Sequence, residues 1–138
     1  MTKQHHYDRH NFRGRQKNHS EWFYGSLLWY NPIRDPQICQ KNENGGSNNF
    51  IVSPETIGRC TGLKDMNEVW IYEGDIIKAW GNTLSEIKSA VVYENGSFGY
   101  KDNITFYAFS EYDFENNIVD FVDVVGNVYD NPELLEVR

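Results

Sequence analysis

The sequence predicts a mainly β fold: a small SH3-like β-barrel with an additional N-terminal β-lobe and short helical turns. Three observations predict it. Aromatic residues occupy 15% of the 138 positions, as nine Tyr, eight Phe and four Trp, and such side chains favour pleated, half-buried surfaces. Short apolar runs recur at regular spacing through the second half, with Gly or Asn-Gly at the bends, a pattern of small barrels. Finally, IYEGDII (71–77) sets Gly74-Asp75 before an apolar run. Glycine there allows a sharp entry into the strand, and the acid ties down the neighbouring turn.

In chain order, residues 1–11 lack apolar periodicity and are expected to form a flexible basic arm. EWFYGSLLWY (21–30) reads as a strand, with Gly25 at a bend or close approach. NPIRDPQICQKNENGGSNN (31–49) is rich in Pro, Gly, Asn and Ser and reads as a long loop, mobile over 44–49. FIVS (50–53) is a short strand, and SPET (53–56) a helical turn with Ser53 as N-cap and Pro54 at its first position. Residues 12–66 make the N-terminal lobe and 67–138 the barrel.

Within the barrel, DIIKAW (75–80) and IKSAVVY (87–93) flank the polar GNTLSE, and Asn95-Gly96 is a hairpin signal. ITFYAF (104–109) and DFVDVVGNVY (120–129) continue the pattern. NPELLE (131–136) closes with a helical turn, Asn131 as N-cap and Pro132 at N1. Ile76, Val91, Phe106 and Val124 are the expected barrel core. Gly62, Gly74, Asp75, Asn95 and Gly96 are the expected structural turn residues.

Charge is uneven. The net charge is −7, yet residues 1–20 carry +4 and residues 102–138 carry −8, a basic arm and an acidic face. No run approaches the roughly 18–20 apolar residues of a membrane span, and the basic N-terminus has no apolar stretch behind it. Cys39 and Cys60 make no disulfide framework. A cytosolic protein with both thiols reduced is expected.

Several constellations suggest chemistry. His5, His6 and His10, with Tyr7 and Asp8, are imidazole-rich, but nothing else joins them into a metal set. Arg9, Arg13, Arg15 and Lys17, interleaved with Tyr7, Phe12 and Trp22, are the candidate nucleic-acid residues, cations for phosphates and rings for bases. Only if nucleic-acid binding survived removal of the arm would Trp80, Tyr93 and Tyr100 on the barrel become the stacking candidates, and that outcome is not expected. Glu111, Asp113, Glu115, Asp120 and Asp123 lack calcium-loop spacing and read as solvated. Glu73 and Asp75 flank Gly74, where a turn role outweighs acid–base chemistry. No Gly-x-Ser-x-Gly, P-loop or dinucleotide fingerprint is present.

Read together, FRG (12–14), EWFYG (21–25), SPETIGRCTGLKD (53–65), IYEGDII (71–77), VVYENGSFGY (91–100) and GNVYDNPELL (126–135) resemble the YopX family of phage and prophage proteins from bacteria. One departure is Asn67-Glu68 where the family pattern has Asn-Gly. Glutamate disfavours the positive φ of a type I′ turn, so this turn is expected to change type. The resemblance implies a mainly β fold and a mobile-element origin, with no established activity, catalytic residue, cofactor or metal to carry over.

The expectation is therefore a non-catalytic binding or assembly module of the bacterial host cytoplasm. Its expected partners are a second copy, through residues 12–30, and an unidentified protein. The alternative is a nucleic-acid-binding accessory protein using the basic arm. No membrane association is expected.

Overall fold

The computed structural model describes residues 10–30, 33–80, 86–101 and 104–136. The expectations for Arg9, for His5, His6, Tyr7 and Asp8, and for most of GNTLSE lie outside the described residues. The chain forms two compact units, the second beginning at Thr61.

The first unit is an antiparallel sheet. Its strands are β1 (Phe12–Arg15), β2 (Trp22–Leu28), β3 (Gln37–Lys41) and β4 (Ser47–Ile51), adjacent in the order β4-β3-β2-β1. The first residues of β5 (Gly58–Lys64) pair with β1, Phe12 opposite Arg59. Gly25 lies opposite Phe12, and a methyl group there would collide with the Cys39 carbonyl oxygen. The close approach expected at this glycine is thus what the sheet uses.

The loop expected over 31–49 is instead largely a hairpin. Asn42 organises its turn, its Oδ1 accepting from the N–H groups of Asn44 (3.1 Å) and Gly46 (3.0 Å), while Gly45 takes φ +82°. Strand β4 escapes a composition reading because its residues are almost all exposed, so polar side chains suffice there. Ile38, fully buried, holds the hairpin down.

Phe23, Ile38 and Val52 form the core of this unit, with Phe23 stacked on Phe50 at 3.8 Å. Beyond β4 the backbone returns to the end of β1: Ser53 donates to the Arg15 carbonyl at 2.9 Å, and Gln16 bridges Val52. A 3₁₀ turn follows at Pro54–Thr56, where Ser53 holds the N-cap position without a side-chain bond. Thr56 Oγ1 accepts the Arg15 N–H (2.9 Å) and donates to the Ser53 carbonyl (2.6 Å).

In the second unit the later residues of β5 pair with β6 (Trp70–Tyr72). Five further strands, β7 (Asp75–Trp80), β8 (Glu86–Glu94), β9 (Ser97–Lys101), β10 (Phe106–Ala108) and β11 (Val122–Asn127), form an antiparallel sheet in the order β10-β9-β8-β7-β11. That order is open. The expected SH3-like barrel is not closed among the described strands, because β10 has only three residues before the chain enters helix α1 (Glu111–Asn116). At the other edge, the register of β11 against β7 shifts between Val124 and Gly126.

Leu63, Ile71, Ile77, Ala79, Val91, Phe109, Val119 and Val122 make the core, with Val124, Phe98 and Tyr100 packed on it. Full burial of each larger aliphatic here stabilises by about 1.5–3 kcal/mol. The expected four-residue core divides. Val91 belongs to this cluster and Val124, only half-buried, packs on it; Ile76 is fully buried but outside it, since successive residues of β7 point to opposite faces. Phe106 is half-buried, its ring lying where a Gly99 side chain would sit.

Of the expected turn residues, Gly74, Asn95 and Gly96 lie in turns and Asp75 begins β7, whereas Gly62 lies within β5, where its positive φ interrupts the strand geometry rather than making a turn. Asn95 (φ 52°) and Gly96 (φ 83°) join β8 to β9, two positive φ values in a two-residue hairpin as in type I′. Gly62 and Gly74 take φ 82° and 88°, and Asp75 Oδ2 accepts the Tyr72 N–H at 2.7 Å. Glu68 corrects part of its expectation. It does adopt a positive φ (64°), while Asn67 does not, so the turn is not type I′ and the strain falls on one residue. The terminal helical turn is a 3₁₀ segment, Pro132–Leu135. Asn131 precedes it without capping it; its Oδ1 accepts the Asn127 N–H at 3.2 Å.

Candidate functional site

Of the four candidate nucleic-acid residues, the three within the described region do not form an open basic strip. Arg13 lies in β1, almost wholly buried, with its guanidinium 4.9 Å from the Trp22 ring centroid. Arg15, on the same face two residues on, is half-buried. Lys17 is exposed and paired with Asp35 at 2.8 Å. The sequence signal for a flexible arm ends where β1 begins.

The acidic candidates likewise fail to converge. Asp113 belongs to a capping box: its N–H donates to Ser110 Oγ (3.1 Å) and its Oδ2 accepts the Ser110 N–H (2.9 Å). Asp123 Oδ1 accepts from Asn67 Nδ2 at 2.9 Å. Among the described residues no group of three or more His, Cys, Asp or Glu is placed to hold a metal ion. Neither cysteine is in a disulfide; Cys39 is half-buried and Cys60 buried. No helix among the described residues is long and apolar enough to cross a membrane.

What the second unit does assemble is a graded run of rings on one face of β8, β9 and β10. Cross-strand partners share a face, and the register pairs Val91 with Tyr100, Tyr100 with Tyr107, and Tyr93 with Phe98. Tyr100 stacks on Tyr107 at 5.4 Å and meets Phe109 at 5.9 Å, while Tyr93 meets Phe98 edge-on at 4.9 Å. The run begins in the core at Val91 and Phe109 and ends at rings that are 44% (Tyr93) and 37% (Tyr107) exposed. Tyr93 and Tyr100, named from sequence as stacking candidates, are both in it; Trp80 lies on β7 outside it.

Helix α1 adjoins this run. Burial raises the Tyr100 phenol above its ordinary value, and the nearby Tyr107 and Asp113 add to the shift. At about 100° per residue, Tyr112 and Phe114 lie on the two flanks of Asp113. They are 66% and 40% exposed, and the helix buries none of its residues. Sequence reading missed this helix, although Ser110-x-x-Asp113 is a capping signal visible in the chain.

A second feature missed from sequence is Asp65, a fully buried acid. Its Oδ1 accepts from the N–H groups of Asn67 (2.8 Å) and Val69 (2.9 Å), and its Oδ2 from that of Val124 (2.9 Å). Every one of these donors is backbone, so its role is architectural.

Comparison with known proteins agrees with this fold. Two solved structures resemble the chain, each with a TM-score of 0.57. Protein EF1440 from Enterococcus faecalis is 25% identical, the match covering 91% of this chain and 97% of that one. Protein yopX from Bacillus subtilis is 19% identical, over 91% and 98%, a likeness of fold. No curated protein matches the chain. The family model described as YopX protein matches residues 11–136, and the chain belongs to the YopX family.

Proposed function

We propose that the chain is a non-catalytic binding or assembly module, encoded by a phage or prophage and acting in the bacterial host cytoplasm. The observation that carries this reading is the aromatic surface of the second unit. Rings pass from the core to solvent along β9 and β10, and two more stand exposed on α1. Exposed aromatics grouped in this way are the usual anchors of protein interfaces. Immobilised chain should retain a partner from extract of the bacterial host, and the Tyr112→Ser/Phe114→Ser variant should retain it less. Equal retention by both would count against the reading, as would retention by neither.

Self-association through residues 12–30 is part of the proposal, since Ser26 of β2 is exposed and the rings of Trp29 and Tyr30 that follow the strand are exposed as well. Light scattering of a clean monomer at high micromolar concentration would remove it. A second reading, weak nucleic-acid contact, is favoured by charge alone. Residues 1–60 hold eight Lys/Arg against five Asp/Glu, a net +3, whereas residues 61–138 hold five against fifteen, a net −10. With Arg13 buried and Lys17 paired, such contact is micromolar or weaker and steeply salt-dependent.

A further inference from the structure

We propose that the surface formed by β10 and α1 docks a Lys- or Arg-rich segment of a partner protein, a proposal that rests on the binding-module reading and names its ligand chemistry. Tyr107, Tyr112 and Phe114 supply the apolar part, at 37%, 66% and 40% exposure. A helix of six residues is well short of the roughly 12–15 needed to stand alone in water. Here its capping box holds it while its rings stay in solvent. Covering those rings recovers the apolar burial that the folded chain leaves unused.

Charge selects the occupant. Residues 104–136 contain eight Asp/Glu and no Lys, Arg or His. Among the described residues, Glu111, Glu115 and Asp120 have no ion-pair partner. At about 100° per residue, Glu111 and Glu115 share one face of α1 with Tyr112 on one side and Phe114 on the other, so a cation docking there can take ion pairing and cation–π attraction together. Arginine suits both, since its planar guanidinium stacks on rings and forks onto carboxylates. Within each unit the protein already uses the same chemistry, Arg13 over Trp22 at 4.9 Å and Lys64 over Trp70 at 4.8 Å. Polyanions such as nucleic acid or an acidic lipid surface are repelled by this field.

The test is fluorescence anisotropy of a labelled peptide alternating Arg and Gln, titrated with the full chain at low and at physiological salt. Binding should be present and weaken with salt. Tyr112→Ser/Phe114→Ser leaves every charge in place and should weaken it by about five-fold or more. Glu111→Gln/Glu115→Gln should weaken it comparably. Glu133→Gln/Glu136→Gln removes the same charge elsewhere in this unit and should have a much smaller effect. No binding by the wild-type chain overturns the proposal. So does an equal loss in the two acidic variants, which would mean a diffuse field, or wild-type affinity in the aromatic variant. If the immobilised chain retains an extract protein through these rings while the peptide fails, the module reading stands and only the basic-ligand inference falls.

Discussion

Asp65 and Val124 are 59 residues apart in sequence, yet the carboxyl of the first accepts the backbone N–H of the second at 2.9 Å. The other oxygen of Asp65 closes its own turn, through Asn67 and Val69. One buried side chain therefore fixes the exit of β5 and the middle of β11 together. Asp65→Ala leaves all three N–H groups without that acceptor, and each such loss costs about 1–3 kcal/mol. We expect a total of about 3 kcal/mol or more, read as a lower urea midpoint. A loss below about 1 kcal/mol would show that the turn does not depend on this acid.

The same turn contains an avoidable strain. Glu68 sits at φ 64° with its side chain in solvent. Glutamate in the left-handed region costs about 1–2 kcal/mol, and glycine returns part of that as chain entropy. Glu68→Gly should therefore stabilise by about 0.5–1 kcal/mol. Destabilisation in thermal or urea unfolding would mean that the Glu68 side chain contributes something its exposure does not suggest.

Ile76 is fully buried in β7. Truncation to Ala should cost about 2–5 kcal/mol, the range for large-to-small changes in a core that cannot collapse. An unchanged denaturation midpoint would place this side chain outside any packed core.

Tyr100 gives a pH dependence of known sign. Its phenol titrates above 10.0 in the folded chain, chiefly through burial, then through Tyr107 and Asp113. The unfolded chain loses this proton first, so the contribution is complete below the ordinary tyrosine value and is lost as pH rises through the folded one. Tyr100→Phe should flatten the alkaline limb of stability against pH. An unchanged limb would assign that loss to other groups.

Much of this architecture was legible because it rests on backbone conformations few residues adopt. Gly25 at a close approach, Asn95-Gly96 in a tight hairpin and Gly74-Asp75 at the entry to β7 all announce their geometry. The β3–β4 hairpin was hidden because an exposed edge strand such as Ser47–Ile51 needs little apolar content. Helix α1 was hidden for the related reason that it buries nothing, leaving only its Ser110/Asp113 cap as a signal. The role of Asp65 depends on β11, a partner distant in sequence. For the candidate site, Tyr93 and Tyr100 were singled out only as fallback stacking residues for nucleic acid, and the surface they share with Tyr107 of β10 and with Tyr112 and Phe114 of an unrecognised helix was not read. The basic candidates were drawn from composition, which does not reveal that Arg13 points into a folded sheet beside Trp22.

The most direct test of the account locates the binding surface itself. Amide resonances of the isotope-labelled chain can be followed by NMR while the Arg-Gln peptide is added. Shifts concentrated in Phe106–Ala108 and Glu111–Asn116, with saturable dependence on peptide, are the predicted result. Shifts confined to Phe12–Lys17, or spread evenly over the acidic unit, would contradict it.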